Sequence, residues 1–278
     1  MFILKRNPAA AAAFEKGKEV IRAVRRRIED ATLGLEFEPE AHAYTFYGRP
    51  VRNVSSIVER FAPFDATAAA EGVSRNPRHP LYGKPVPEIL LLWETKGREA
   101  SQAGTAVHSF AEACCDFLAG GTPEEPWAGR VTEEGLVAET PKEEAAARWW
   151  DAFEWGRCVP VAKEIRLVHP TLGYAGTPDL LLYDFAADYF RLKDYKTNED
   201  PYKWYGGRLL APLDAIKDND VGKYTLQQTL YDINLVDIGI PVGSIDLVWL
   251  RDDACYEEIP IPLQYAHAVR NAIENFKD

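Results

Sequence analysis

The chain has 278 residues, a net charge of −11, and 46% apolar and 27% charged side chains. That composition is ordinary for a globular protein, and its acidity argues against a protein that coats nucleic acid through bulk positive charge. No apolar run reaches the about 18 residues that span a bilayer, and the opening MFILKRNPAAAAAFEKGKEV is too short in apolar residues and too charged for a secretory leader. A cytosolic protein without membrane contact is expected, folded as one large domain or as one domain with a helical lobe. Cys114, Cys115, Cys158 and Cys255 show no C-x-x-C spacing, which points to reduced, mostly buried thiols and away from zinc or iron–sulfur ligation.

Residues 8–30 read as a helix whose second half crowds Arg22, Arg25, Arg26 and Arg27. Cations near a helix C-terminus suit its dipole, so a solvated face explains them more simply than a nucleic-acid contact. Residues 35–52 alternate around a polar turn, as a hairpin does. Asn53 or Ser55 then caps a short helix through Phe61. Residues 62–85, ending in RNPRHPLYGKP, predict an irregular crossing. A helix over 87–96, extending to 100, precedes the clearest helix, 101–119. Residues 120–140 read as a surface loop. Pro141 followed by acids starts a helix over 141–157. Strand-like runs follow at 160–168, 174–183 and 189–196. An insertion over 198–220, a helix over 221–239, strands at 244–250 and 256–261, and a last helix from 263 to about 276 complete the chain. The expected class is mixed α/β or α+β. A central mixed sheet flanked by helices occupies 101–278, and a helical and hairpin region over 1–100 packs on it.

The strongest chemical signal lies in residues 176–197, GTPDLLLYDFAADYFRLKDYKT. Two hydrophobic runs flank a turn-like linker at 184–188. Asp179 follows Pro178 at the start of the first run, and Asp194, Tyr195 and Lys196 end the second. A hairpin sets Asp179 beside Asp194, and strand alternation puts Asp194 and Lys196 on one side. Charges at strand ends are common on solubility grounds, so each residue alone means little. Together they suit a hard divalent cation such as Mg²⁺. Such a cation polarises a phosphate and acidifies its bound water, and a nearby lysine adds a compact positive charge.

Other residues are judged by what they add. His108 and Glu112 lie one turn apart on a helix face. Alone they read as a surface pair; in this company Glu112 is a third carboxylate. Glu164, in KEIRLV, fits a solvent-facing strand acid and a site role equally, the latter orienting Lys196 or a metal-bound water. Gln227 and Tyr231 also share a helix face, and either bind phosphate or a base or join Tyr224 in aromatic packing. In the insertion, Tyr202, Lys203, Trp204, Tyr205, Arg208 and Lys217 interleave aromatic and cationic side chains. That pattern suits single-stranded nucleic acid, and equally a loop packed on its own domain.

In order, GTAVHSFAE, Glu164, GYAGTPDLLL, LKDYKT and QQTLY resemble the RecB-like branch of the PD-(D/E)XK nuclease superfamily. That branch carries G-x-x-x-H-x-x-x-E, a strand acid, (P)D, D/E-x-K and Q-x-x-x-Y, which fall here at Gly104, His108, Glu112, Glu164, Asp179, Asp194, Lys196, Gln227 and Tyr231. The matched stretch runs over roughly 101–235, about half the chain. AHAYTFYGRPVRNVSSIVERF is similar to the lead-in of phage-encoded and mitochondrial-type exonucleases of this superfamily. The resemblance implies a restriction-endonuclease-like core and Mg²⁺- or Mn²⁺-dependent phosphodiester hydrolysis. Glu112, Asp179 and Asp194 would hold metal, with His108 as a further ligand. Lys196 would serve the water, and Gln227 with Tyr231 would serve DNA or site geometry. Relatives with an iron–sulfur cluster place three cysteines after this core, whereas this chain has Cys255 alone, so no cluster is expected.

These readings converge on a DNA exonuclease of recombination, repair or phage DNA processing. Its expected partners are single-stranded DNA or duplex ends, bound in part by Lys203, Trp204 and Arg208, and a recombination protein. The rivals are a structure-specific or restriction-like endonuclease and a non-catalytic DNA- or protein-binding module of the same fold.

Overall fold

In the computed structural model, which describes residues 1–275, helices and strands mix throughout the chain. A short strand, β1 (Phe2–Leu4), leads into α1 (Pro8–Ala31). Asn7 caps α1 by accepting from the Ala9 amide, and Pro8 sits where a missing N–H costs nothing. Gly17 lets α1 lie against the sheet: a Cβ there would come within 2.7 Å of Val159. Two of the four clustered arginines are committed to the fold, Arg25 donating to the Val161 carbonyl and Arg27 to that of Gly239.

The expected hairpin is a three-stranded meander, β2 (Leu35–Glu38), β3 (Ala43–Phe46) and β4 (Arg49–Asn53), and Asn53 caps α2 (Val54–Phe61). Residues 62–85 are less irregular than expected. Between Pro63 and Pro77 the alanine-rich stretch forms α3 (Ala66–Arg75), capped by Asp65. The helices expected at 87–100 and 101–119 are one, α4 (Val86–Leu118), 33 residues long. No proline interrupts it after its first turn, and Gly97 has nothing within 4 Å of where a Cβ would stand, so the junction carries no packing reason to break. The loop expected over 120–140 contains β5 (Leu136–Ala138), which pairs antiparallel with β1. α5 (Pro141–Asp151) begins in a capping box made by Thr140 and Glu143.

The runs read as single strands at 160–168 and 174–183 each divide, into β6 (Cys158–Lys163) and β7 (Leu167–His169), and into β8 (Tyr174–Gly176) and β9 (Leu180–Asp184). The cause is local and shared. Glu164 takes a left-handed conformation, φ 43°, and Pro178 has no N–H for a ladder. The two breaks face each other: the Glu164 amide donates to the Asp179 carbonyl at 2.9 Å, and Ile165 to that of Pro178 at 3.0 Å.

β9 and β10 (Tyr189–Lys196) form the expected antiparallel hairpin, closed by Asp184, which accepts from the Ala186 and Ala187 amides. After α6 (Asp220–Asp237) come β11 (Val242–Leu250), β12 (Tyr256–Ile261) and α7 (Ala266–Glu274). The final residue expected in that last helix, Phe276, lies outside the described residues. The central sheet runs β12-β11-β10-β9-β6, with β10 and β11 parallel and the other neighbours antiparallel. A second sheet runs β2-β3-β4-β8-β7. Helices cover both faces of the central sheet. On one, Trp149 of α5 meets Tyr195 edge-on at 5.7 Å and donates to Glu258 at 2.6 Å. On the other, Gln227 of α6 accepts from Lys196. Trp150, Tyr174, Tyr195, Phe110 and Phe117 are among the largest fully buried side chains of the core between these layers. Among the described residues no helix is long and apolar enough to cross a membrane.

Candidate metal centre and its cleft

Two strand breaks, one strand end and two helices meet at one place, and each delivers a polar side chain there. The breaks between β6 and β7 and between β8 and β9 deliver Glu164 and Asp179. The end of β10 delivers Asp194 and Lys196. α4 contributes His108 and Glu112, and α6 contributes Tyr224, Gln227 and Tyr231. With the exception of Asp194, which is buried beneath it, all of these line one cleft of about 780 Å³. Two glycines allow the elements to come this close. A Cβ on Gly176 would stand 2.7 Å from the Tyr231 ring and 2.9 Å from Val54, and one on Gly104 would stand 3.1 Å from the Thr197 hydroxyl.

One ligand atom each from His108, Glu164 and Asp179 lies within 4.8 Å of the others, a spacing that one cation can span. Asp179 is held from both sides: its Oδ2 accepts from the Tyr195 amide at 2.7 Å and lies 3.2 Å from Nδ1 of His108. Asp194, 2% exposed, pairs with the Lys196 ammonium, as strand alternation requires. Nζ of Lys196 also donates to Oε1 of Gln227 at 3.4 Å and lies 4.3 Å from the centre of the Tyr224 ring. Gln227 in turn donates to the Tyr231 hydroxyl at 3.5 Å. The two residues read from the sequence as one helix face are thus joined to the lysine.

The charges set one another. Burial and then the neighbouring Asp179 and Glu112 push the Glu164 carboxyl up to about 8. Burial likewise raises Glu112, with Lys163 opposing. Burial would also raise Asp179, but the His108 charge and contact, the Lys196 ammonium and the Tyr195 amide together outweigh it and hold Asp179 low. His108 itself is pulled down by burial and lifted further by Asp179, ending above its ordinary value. Burial and Asp179 raise Asp194 against the pull of Lys196. Burial opposes charge on Lys196, yet Asp194 and Asp179 hold its ammonium well above the ordinary lysine range. Lys196, with Lys163 beside Glu112 and Arg166 on the outer wall, faces four carboxylates and an imidazole; a divalent cation would relieve the acidic excess at the centre.

Lys203, Trp204 and Arg208 do not line this cleft. The insertion folds on itself: Trp204 donates to the Gly207 carbonyl at 2.6 Å, Arg208 to those of Asp214 and Ala215, and Lys203 lies 5.5 Å from the Tyr205 ring centre. Leu209, Leu213 and Ile216 anchor it in the core, while Tyr205 is 84% exposed. Its root is tied by Asn198, which donates to Asp220 at 2.8 Å and accepts from Trp249 and Tyr224.

Residues in and beside the cleft include some that the sequence reading did not single out. Tyr44, on β3, bonds through its hydroxyl to Thr177 at 2.9 Å, 133 positions away. Lys163 bonds Asp116 at 2.6 Å and reaches the Glu112 carbonyl at 3.5 Å, bracing α4 against β6. Arg166 was legible in principle, since it stands two residues beyond Glu164. Among protein-family models and curated proteins, none matches this chain.

Proposed function

We propose that the protein is a divalent-metal-dependent DNA nuclease of the PD-(D/E)XK kind, with a restriction-endonuclease-like core, acting as an exonuclease in recombination, repair or phage DNA processing. The observation that carries this reading is the meeting of His108, Glu164 and Asp179 ligand atoms within 4.8 Å, beside the Asp194–Lys196 pair. The donor set, carboxylate oxygens with one imidazole, fits Mg²⁺ or Mn²⁺. Beside burial, the nearby Asp179 and Glu112 charges raise the Glu164 carboxyl, a repulsion that a bound cation would relieve. When bound, the cation supplies Lewis acidity toward a phosphate and lowers the pKa of its water.

The chain's own residues do the rest. Asp179, Glu164 and His108 would hold the cation, with Glu112 extending the acidic lining and Asp194 buried beneath it. Lys196 stays charged at working pH and faces the cleft, where it orients the attacking water and offsets charge developing on phosphate. Asp194 and Gln227 fix that ammonium in place, and Tyr231 fixes Gln227.

The test is hydrolysis of end-labelled single- and double-stranded DNA with Mg²⁺ or Mn²⁺, beside Asp194→Asn and Lys196→Ala. Wild-type cleavage reduced about a hundredfold or more in both variants is expected. A wild type as inert as the variants on every substrate overturns the reading. Cutting of a covalently closed circle would instead assign an endonuclease.

A further inference from the structure

We infer that the outer wall of the cleft, formed by Phe37, His42 and Arg166, is a stacking subsite for an unpaired nucleobase of single-stranded DNA. The inference rests on the nuclease reading and adds to it the substrate form and the residues that recognise it. All three side chains line the same cleft as the acids. They come from the second sheet and the break after β6, not from the insertion where the sequence places aromatic and cationic residues together.

The wall has the chemistry a base requires. The Phe37 and Tyr44 rings lie 4.7 Å apart, and His42 meets Phe37 edge-on at 5.2 Å. The Arg166 guanidinium carbon is 5.2 Å from the Phe37 ring centre, within cation–π range. Tyr44 is buried and Phe37 half-buried, whereas His42 and Arg166 are exposed, so the inner rings support two outer planes that face solvent. Among the described residues Arg166 is in no ion pair, which leaves its plane and charge to a ligand. Aromatic rings and arginine planes stack on any base whose face is free, and in a duplex the stacking of neighbouring base pairs keeps those faces covered.

The wall is also fixed relative to the acids. Tyr44 bonds Thr177, two residues before Asp179, and Arg166 follows Glu164 by two residues. A base seated on the wall therefore holds its own strand's phosphate at a set distance from the metal centre. This is how a site with few cations can position a polyanion despite a net charge of −11.

Binding of a short fluorescent single strand, measured by anisotropy in Ca²⁺, tests the idea against the same strand made abasic. Wild type, His42→Ala and Arg166→Lys are compared. The abasic strand is expected to bind wild type on the order of tenfold more weakly. In both variants the intact strand should fall toward the abasic value while the abasic strand is bound as before. Arg166→Lys keeps the charge and removes the plane, so it separates stacking from charge. No abasic penalty in wild type, or an unchanged penalty in both variants, overturns the inference. Cleavage of the abasic strand in Mn²⁺ reports separately on the nuclease reading: if no DNA is cleaved that reading fails, while the binding comparison still decides the wall.

Discussion

At the scale of single residues, the Asp194–Lys196 pair and Glu164 set the behaviour of the site. Lys196→Ala would leave Asp194 buried beside Asp179 with no counter-charge. Loss of one partner of a buried pair costs about 3–5 kcal/mol, so urea unfolding in EDTA should show a loss of that order. The double change with Asp194→Asn should recover most of it, because the stranded charge is gone. Glu164 makes a pH prediction. Its folded pKa, about 8, lies above the ordinary glutamate value of 4.5, so the folded state holds the proton that the unfolded chain releases. Its stability contribution is complete below 4.5 and is lost as pH rises through 8. Metal-free wild type should therefore lose stability relative to Glu164→Gln across that window. Parallel unfolding curves at pH 5 and pH 9 would refute the assigned shift.

At the scale of elements, close approach explains why glycine stands where it does. Gly176→Ala places a methyl 2.7 Å from Tyr231 and 2.9 Å from Val54, both packed side chains. Overpacking of this kind costs about 1–3 kcal/mol. The displaced Tyr231 releases Gln227 and, through it, Lys196, so activity should fall further than stability alone accounts for. Kinetics well below the melting transition separate the two effects. The capping box of α5 is a control without a site role. Thr140→Ala should cost about 1 kcal/mol in thermal or urea unfolding and leave metal binding unchanged.

At the scale of the whole molecule, a cation at the proposed centre would tie both sheets and α4 together, because its candidate ligands come from α4 and from both strand breaks. A cation that binds the folded chain alone stabilises it by mass action, about 2.7 kcal/mol at a hundred times its dissociation constant. Mn²⁺ should raise the melting temperature of wild type and have little effect on a Glu164→Gln, Asp179→Asn double variant. An equal shift in both would place the cation elsewhere. A cation bound there would offset local repulsion among the acids that the folded state otherwise carries.

Much of this was legible in the sequence wherever the signal is local. Hydrophobic periodicity determined the hairpin of β9 and β10, the helices α1, α5 and α6, and the mixed α/β class. Strand alternation placed Asp194 with Lys196, and helical spacing placed His108 with Glu112 and Gln227 with Tyr231. What the sequence could not determine is where continuous runs stop. Both strand breaks lie inside hydrophobic runs, and each is stabilised by the other through two backbone hydrogen bonds. The joining of two helices into α4 and the pairing of β1 with β5 depend in the same way on partners remote along the chain. The wall of Phe37, His42 and Arg166 belongs with them. Phe37 and His42 are neighbours on one hairpin, but Arg166 lies more than a hundred positions beyond them, and only the tertiary structure brings the three together at the cleft that holds the acids, because contacts at that separation leave no periodicity in the sequence.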